Sequence, residues 1–183
     1  MTSRVIKIGL PGGSGRMGGM LIREIAREND LQLVATTDRA DSPYIGKDSG
    51  EVAGLASNDV LLGVDPASLF LDADVVIDFS APDASIHHAT LAAETGKAMV
   101  IGTTGLTPDQ EDTLRQVAKQ TAIVYCSNTS VGVTLLTQLV EQVAAQLTTG
   151  WDIEILETHH HHKVDAPSGT ALALGKAAAR ARQ

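Results

Sequence analysis

The chain has 183 residues, of which 43% are hydrophobic and only 3% aromatic, and its formal net charge is −8. This length allows one substantial core, filled by aliphatic side chains, and part of a second. A negative chain without Lys and Arg clustered beside aromatic residues is not expected to bind nucleic acid, although the charge is compatible with a local site for a small anion.

Apolar runs alternate with helical patterns as far as residue 126. The runs are rich in Val, Ile and Leu, which is typical of strands covered on both faces. The predicted strands are Val5–Leu10, Leu31–Thr37, Val60–Leu62, Ala73–Phe79, Ala98–Ile101 and Ala122–Cys126.

Three helices are predicted between these strands, at Gly15–Glu28, Pro82–Thr95 and Pro108–Lys119. The third has a capping box formed by Thr107 and Gln110. Residues 40–58 are rich in Gly, Ser and Asp, which predicts an excursion on the surface. The alternation of strand and helix predicts an α/β fold with a parallel sheet and right-handed crossovers.

The pattern changes after Cys126. Ser130 is predicted to cap a long helix whose apolar residues recur every fourth position, at Val131, Leu135, Leu139, Val143 and Leu147. A predicted strand, Trp151–Leu156, and a predicted helix, Ala171–Arg182, follow. We therefore expect one domain over residues 1–129 and a second over residues 130–183. Because a single strand cannot form a sheet, the second domain is expected to be incomplete.

A glycine-rich turn joins the first predicted strand to the first helix. The spacing of Gly12, Gly15 and Gly18 is a variant of the dinucleotide fingerprint, in which glycines allow a tight turn and close approach to a pyrophosphate. The next strand ends at Asp38, 20 residues after Gly18, where a carboxylate accepts hydrogen bonds from an adenosine ribose. This context favours a nucleotide site over a turn that is glycine-rich for conformational reasons alone.

Arg39 bears on the choice of nucleotide. A carboxylate alone favours NADH, whereas a guanidinium pairs with the 2′-phosphate of NADPH. The presence of both Asp38 and Arg39 predicts use of NADH and NADPH; the alternative for Arg39 is a solvated side chain. Arg16, inside the glycine turn, is interpreted as a lid over the cofactor phosphates rather than a surface cation.

Two further strand ends carry small or polar residues. Gly102-Thr103-Thr104-Gly105 allows a nicotinamide or ribose to lie close to backbone N–H groups. Cys126-Ser127-Asn128-Thr129 ends the last strand of the first domain. Cys126 is interpreted as a small buried hydrophobe rather than a nucleophile. As the single cysteine, it excludes an internal disulfide and indicates a reducing compartment.

The segment from Glu157 to Ala171 is the most informative. It contains four consecutive histidines, Lys163 and the turn Asp165-Ala166-Pro167-Ser168-Gly169-Thr170. Ser168 is predicted to cap the last helix, whose first N–H groups form an anion site. Proton donors and an anion site together suit a reaction on a small carboxylic acid.

The histidine run has other interpretations. A purification tag is disfavoured because the run is internal and short. A zinc site is disfavoured because adjacent histidines diverge and no second pair lies at ligand spacing, so no metal is expected. His161 and His162 are interpreted as solvated, and His87 and His88 as surface or packing residues.

These segments together resemble the dihydrodipicolinate reductase family over essentially the whole chain. The matching segments are Gly12–Gly18, Asp38-Arg39, Gly102–Gly105, Asn128–Val133 and Glu157–Ala171. The resemblance implies a Rossmann-type domain that binds NAD(P)H and an α+β domain that binds substrate and builds a homotetramer. It also implies reduction of a small cyclic dicarboxylate, 4-hydroxy-tetrahydrodipicolinate, to tetrahydrodipicolinate in the diaminopimelate route of lysine biosynthesis.

Residue roles follow from the same resemblance. His159 and Lys163 would be the catalytic acid/base pair, and His160, Gly169 and Thr170 would bind the substrate carboxylates. The cofactor would be lined by Gly12, Gly13, Ser14, Gly15, Arg16, Met17, Asp38, Arg39, Gly102, Thr103, Thr104, Cys126, Ser127, Asn128 and Thr129. Family members often carry a large apolar residue at the position of Thr129. They also continue beyond the position of Gln183, so strands of the second domain are expected to be missing.

Two other functions compete with this one. The chain would be a nucleotide-binding module without turnover, such as a redox sensor or an inactive remnant, or another dehydrogenase of amino-acid metabolism. Neither needs the segment Glu157–Ala171. The N terminus has no signal-peptide pattern, and no run approaches the roughly 20 apolar residues of a membrane span. We therefore expect a cytoplasmic protein with no membrane partner.

Overall fold

The computed structural model describes residues 4–126, 128–147, 150–159, 161 and 166–182. The chain divides into two compact units, Met1–Tyr125 (unit 1) and Cys126–Gln183 (unit 2). The boundary at residue 129 stays a prediction. In the described part of the chain, no helix is long and apolar enough to cross a membrane.

Unit 1 is built on one parallel sheet. Its strands are β1 Ile6–Pro11, β2 Leu31–Thr37, β3 Leu62–Gly63, β4 Val75–Asp78, β5 Ala98–Ile101 and β6 Ile123–Tyr125. They are ordered β3-β2-β1-β4-β5-β6, and every neighbouring pair is parallel. This is the strand order of the Rossmann fold, whose ligand crevice lies where the order reverses, between β1 and β4. The predicted parallel α/β fold is confirmed.

The helices of unit 1 are α1 Arg16–Ile25, α2 Ser49–Val52, α3 Leu69–Asp72, α4 Pro82–Thr95 and α5 Pro108–Val117. The capping box of α5 is present, since Thr107 Oγ1 accepts from the Gln110 N–H and Gln110 Oε1 accepts from the Thr107 N–H. Helix α1 ends before the predicted Glu28 because Arg27 and Glu28 bond to carbonyls three residues back, which tightens the last turn.

Two apolar clusters form the core of unit 1. The first joins α1 to β1 and β2 through Ile8, Leu10, Ile22, Ile25 and Leu33. The second joins α3, α4 and α5 to β4 and β5, with Leu69, Phe70, Val76, Met99, Ile101 and Leu114 among its members. The apolar runs of the sequence therefore correspond to strands that pack against helices, as their composition predicts.

Most of residues 40–58 are exposed, which agrees with the predicted surface excursion, but a short part of the segment is buried. Asp48 and Ser49 are buried, and the Asp48 carboxylate accepts backbone N–H groups from Glu51, Asn58 and Asp59. Val60 accepts the Ser49 N–H, and Leu61 forms an antiparallel bridge with Asp48. The parallel strand β3 therefore begins only at Leu62, later than the predicted Val60.

Unit 2 contains two helices in its described residues, α6 Val131–Gln146 and α7 Gly169–Ala181. Ser130 caps α6 and Ser168 caps α7, each by accepting a backbone N–H three residues ahead. The buried residues of these helices are small: Ala144, Ala177 and Ala178. By contrast, the apolar stripe Val131, Leu135, Leu139 and Val143 is exposed, with Val131 at 76%.

The predicted strand Trp151–Leu156 is wrong. This segment is not assigned to a strand, and it pairs with no described residue. Its apolar side chains are exposed, with Leu156 at 97%. The composition favours a strand, but a strand needs a partner for its N–H and C=O groups, and the described part of unit 2 offers none.

Candidate functional site

The turn between β1 and α1 requires its glycines. Gly12 has φ +73°, a conformation that side chains with a Cβ rarely adopt. A Cβ at Gly13 would lie 2.1 Å from Thr36 Oγ1, and one at Gly18 would lie 2.1 Å from the Gly12 carbonyl oxygen. The backbone of the turn thus packs directly on β2 and on α1. This close packing is what the dinucleotide fingerprint requires.

Helix α1 begins next to a pocket at the reversal of strand order. Its N-cap is Gly15, which offers no side-chain cap to the N–H groups of the first turn. Such N–H groups form an anion site. The pocket has a volume of about 210 Å³, and its lining includes Gly12, Gly15, Arg16, Met17, Gly18 and Phe79. Phe79 directly follows β4, so the pocket spans β1 and β4, where doubly wound sheets bind ligands.

Asp38 lies at the end of β2 and contacts the glycine turn. Its Oδ2 accepts the Ser14 N–H at 3.1 Å and the Ser14 hydroxyl, and its Oδ1 accepts the Arg39 N–H at 2.8 Å. The sequence placed Ser14 and Asp38 in one site, and the structure brings them into contact. Because the Ser14 hydroxyl already donates to this carboxylate, a ribose hydroxyl would take the place of that bond or share the oxygen.

The Arg39 side chain is 84% exposed, and its Nε lies 3.7 Å from Asp41 Oδ1. An exposed pair at this distance contributes little free energy, so the guanidinium is available to another anion at small cost. A phosphate beside Asp38 is such an anion.

The turn after β5 is packed as closely as the glycine turn. A Cβ at Gly102 would lie 2.0 Å from the Phe79 ring, and the Gly102 N–H donates to the Asp78 carbonyl at 2.8 Å. Thr103 is buried, and its Oγ1 accepts the Ser85 hydroxyl at 2.7 Å. The Thr103 side chain is therefore directed into the protein. Only the backbone of Thr103 is left for the predicted contact with a cofactor. Thr104 is half-buried.

Sequence reasoning missed a buried acid–histidine pair beside this turn. Asp78 ends β4 at 0% exposure, and its Oδ2 lies 2.7 Å from Nδ1 of His88, which is 6% exposed. Burial alone raises the pKa of the Asp78 carboxyl, but hydrogen bonds from His88 and Ser80 and the charge of a protonated His88 outweigh it, and the pKa is lowered. The available signal was an Asp closing an apolar strand ahead of a helix that carries a His.

In unit 2, Glu157 connects His159 to the start of α7. Glu157 Oε1 accepts the Ser168 N–H at 2.7 Å, and Glu157 Oε2 lies 3.0 Å from His159 Nδ1. The Glu157 carboxylate is therefore within ion-pair distance of the His159 ring while it also holds the start of α7. Sequence reasoning missed this role of Glu157, although the residue opens the segment that was singled out.

The other predicted residues of unit 2 are placed as follows. Gly169 and Thr170 are half-buried in the first turn of α7, beside the Ser168 cap. Cys126 is half-buried, and its thiol donates to the Asn128 carbonyl. Thr129 is exposed. Ser127, His160 and Lys163 lie outside the described residues, as does His162.

A larger groove in unit 2 has a volume of about 840 Å³ and is lined mainly by apolar residues, including Ile155, Leu156, Pro167, Ala171 and Leu172. Glu157 and Lys176 also line it. An apolar groove is a poor match for a dianionic ligand, whereas the first turn of α7 has N–H groups that suit one. We therefore assign no substrate to the groove. Among the described residues, no group of three His, Cys, Asp or Glu side chains is arranged to hold a metal ion.

Comparison with known families matches both parts of the chain. The model described as "Dihydrodipicolinate reductase, N-terminus" matches residues 6–129, and the model described as "Dihydrodipicolinate reductase, C-terminus" matches residues 132–183.

Similar curated proteins include the 4-hydroxy-tetrahydrodipicolinate reductase of Halorhodospira halophila, which is 48% identical over 95% of this chain and 65% of its own length. The enzyme of the same name from Sinorhizobium medicae is 44% identical over 100% of this chain and 67% of its own length. The chain thus spans about two thirds of the length of these relatives.

Among solved structures, a dipicolinate-bound dihydrodipicolinate reductase from Paenisporosarcina sp. TG-14 is similar to the chain with a TM-score of 0.73 and 25% identity. The similarity covers 97% of this chain and 67% of that one. A scyllo-inositol dehydrogenase from Lactobacillus casei, at 22% identity, has a TM-score of 0.60 over 78% of this chain and 43% of its own, which is a similarity of fold.

Proposed function

Since the chain belongs to the dihydrodipicolinate reductase family, we propose that the protein reduces 4-hydroxy-tetrahydrodipicolinate to tetrahydrodipicolinate with NADPH or NADH, in the diaminopimelate route of lysine biosynthesis. The observation that carries this proposal is the contact of Glu157 with both His159 and the Ser168 N–H at the start of α7. A nucleotide-binding module without turnover is the alternative. Binding alone has no need of an oriented histidine beside an anion site.

The residues of unit 1 fit a dinucleotide. Any side chain at Gly13 or Gly18 would collide with backbone or with Thr36, and the first turn of α1 has no side-chain cap. The pyrophosphate would be held by the turn Gly12–Met17 and the adenosine ribose by Asp38, with Arg39 on a 2′-phosphate. The nicotinamide half of the dinucleotide would contact the backbone of Gly102, Thr103 and Thr104. Cys126, Ser127, Asn128 and Thr129 complete the proposed cofactor set. When bound, the reduced nicotinamide supplies the hydride.

Substitutions at two neighbouring residues are expected to change the affinities for NADPH and NADH differently. Arg39→Ala should weaken NADPH by about tenfold or more, the effect of losing a charge-assisted hydrogen bond, and leave NADH nearly unchanged. Asp38→Asn keeps an acceptor for Ser14 but lowers the negative charge, so it should weaken NADH more than NADPH. Isothermal titration of both cofactors measures these effects.

Arg27→Ala, another exposed arginine in unit 1, is the matched control and should change neither affinity. Equal losses of NADH and NADPH in the Arg39 variant would remove Arg39 from the 2′-phosphate site.

Unit 2 supplies the proposed acid/base and substrate-binding groups. The substrate carboxylates would be bound by His160, Gly169 and Thr170, aided by the N–H groups at the start of α7. The 4-hydroxyl of the substrate leaves as water, which gives an unsaturated ring. After hydride addition to that ring, a ring carbon must be protonated, and Lys163 and His159 are the proposed donor and relay. Glu157 would position His159 by its charge, since its Oε2 lies within ion-pair distance of Nδ1, and Nε2 would face the substrate.

Glu157 is expected to affect turnover rather than cofactor binding. Glu157→Gln removes the negative charge beside His159, so kcat should fall by about tenfold or more while the Kd of NADPH stays the same. Steady-state kinetics of the complete native protein measure this. Glu154→Gln, which changes an exposed carboxylate on the same segment, should behave as the wild type. A Glu157 variant with unchanged kcat would remove Glu157 from the mechanism.

Further features of the proposal come from the family resemblance. We propose a dinucleotide-binding domain over residues 1–129 and part of a substrate and tetramerisation domain over residues 130–183, in a homotetramer. The single cysteine suits a reducing compartment, and we propose the cytoplasm. The decisive experiment is NADPH oxidation by the complete native protein with freshly generated substrate. Nucleotide binding without substrate-dependent oxidation would support the module without turnover instead.

A further inference from the structure

Four polar side chains form a buried set at the carboxyl ends of β4 and β5. They are Asp78, Ser85, His88 and Thr103, and none is more than 6% exposed. His88 Nδ1 lies 2.7 Å from Asp78 Oδ2, and the Ser85 hydroxyl donates to Thr103 Oγ1 at 2.7 Å. Thr103 Oγ1 in turn lies 3.5 Å from Asp78 Oδ1. We call these four residues the buried polar set. Through it, the first half of α4 is connected to the turn that follows β5.

Stability alone does not explain this set. A buried acid–base pair loses its hydration, and its replacement by apolar residues of similar size is often neutral or stabilising. The neighbouring inward positions Val76 and Ile101 are apolar and buried, so the same core accommodates apolar side chains. A hydrogen-bonded set differs from an apolar one in that it holds its members in one arrangement, because each unpaired group would be costly.

The arrangement it holds is that of the turn at Gly102 and Thr103. Asp78 contacts this turn twice, through its carbonyl to the Gly102 N–H and through its carboxylate to Thr103. Phe79, the next residue, occupies the space that a Gly102 side chain would need and also lines the pocket of the glycine turn. The buried polar set is therefore one residue away from the ligand crevice of unit 1.

The sheet order shows which half of a dinucleotide this region would meet. Asp38, the proposed ribose acceptor, ends β2, and β2 lies on one side of β1 while β4 and β5 lie on the other. A dinucleotide bound across the reversal of strand order places its two halves on these two sides. The turn at Gly102 and Thr103 is thus on the side of the nicotinamide half.

We propose that the buried polar set holds the turn at Gly102 and Thr103 in the conformation that receives the nicotinamide half of the cofactor. His88 and Ser85 are then positioning residues that act through Asp78 and Thr103 without touching the cofactor. This inference rests on the proposed function in one respect, that unit 1 binds NAD(P)H. It assigns a role to a histidine and a serine on α4 that the cofactor-binding motifs do not include.

The test compares NADH with ADP-ribose, which has the adenosine half and the pyrophosphate but no nicotinamide. Both are titrated against the 183-residue chain. His88→Leu removes the donor to Asp78 and should weaken NADH by about tenfold or more, the effect of one lost hydrogen bond to a charged group. ADP-ribose affinity should stay within about twofold, because the glycine turn and Asp38 are untouched. The fluorescence enhancement of bound NADH should fall with its affinity.

Three further variants separate positioning from a general structural role. His88→Asn keeps a donor near the position of Nδ1 and should restore NADH affinity to within about threefold. His87→Leu, at the adjacent exposed position on α4, should leave both ligands unchanged. Ser85→Ala removes the donor to Thr103 with little change in volume, and it decides the question if His88→Leu does not fold by circular dichroism.

The outcomes are distinct. Selective loss of NADH in His88→Leu or Ser85→Ala supports the inference. Equal loss of NADH and ADP-ribose, or no loss of either, would overturn it while leaving the proposed function intact. A wild-type chain that binds neither ligand would overturn the proposed function and this inference with it.

Discussion

Replacing Lys163 by Ala in the complete native protein is expected to lower kcat by roughly 10²–10⁴-fold, the usual contribution of a positioned general acid. His159→Ala should fall in the same range. The reason is that, in the proposed reaction, hydride addition would leave a basic carbon on the substrate, and water is a weaker acid than an ammonium group. The affinity for NADPH should barely change in either variant, because the proposed cofactor contacts of the glycine turn and Asp38 lie in unit 1.

For His159 the structure adds a specific expectation. Its Nδ1 lies 3.0 Å from Glu157 Oε2, so a carboxylate is within ion-pair distance of the imidazole. His159→Gln has a hydrogen-bond donor near the position of Nε2 but no imidazole that can relay a proton. Its kcat should therefore lie closer to that of His159→Ala than to that of the wild type.

The matched control for the lysine is Lys176→Ala, an exposed lysine on α7 of the same unit, which should leave kcat within about twofold of the wild type. Stopped-flow measurement of a single turnover isolates the chemical step from product release. A Lys163 variant with near-normal single-turnover rates would refute its role as the proton donor.

The second large effect concerns the 183-residue polypeptide itself, which we expect to bind NAD(P)H but to show little or no reductase activity. Unit 1 has a packed core, the glycine turn and Asp38, all of which the cofactor needs. In the described part of unit 2, the apolar stripe of α6 is exposed and Trp151–Leu156 has no strand partner. A substrate site built on such a unit is not held rigidly enough for catalysis.

The same exposed surface is expected to cause non-specific association. Light scattering of this exact span should give a broad mass distribution that grows with concentration, rather than a discrete tetramer. Leu135→Gln combined with Leu139→Gln should narrow the distribution and leave NADH affinity unchanged, whereas Gln138→Glu, on the same helix, should not narrow it. A discrete tetramer with full activity from this span would contradict the expectation.

The parallel sheet was predictable because its signals are local. Leu31–Thr37 and Ala98–Ile101 form strands with the predicted bounds. Short, largely apolar runs between turns are stable as buried strands of a parallel sheet. Helix starts were predictable for the same reason. Thr107, Ser130 and Ser168 each accept a backbone N–H three residues ahead. The local sequence predicts this interaction, because a Ser or Thr directly before a helical pattern is a typical N-cap.

The site was predictable only in part. The glycine turn and Asp38 were found because each has a residue type and spacing that the cofactor demands. The partners of the site residues were not found. Asp78, His88 and Thr103 lie up to 25 residues apart in the sequence. The sequence predicts only a surface or packing role for His88, because its contact with Asp78 depends on how α4 packs against β4.

By itself, then, the sequence determined the alternation of strands and helices, the glycine turn after β1, and the helix caps. These depend on interactions within a few residues or on burial of long apolar runs. The tertiary structure decided that Trp151–Leu156 is no strand, that Asp78 pairs with His88, and that Glu157 connects His159 to Ser168. Each of these depends on what packs against a segment from elsewhere in the chain, because a backbone N–H or a carboxylate is stable only beside the partner that folding brings to it.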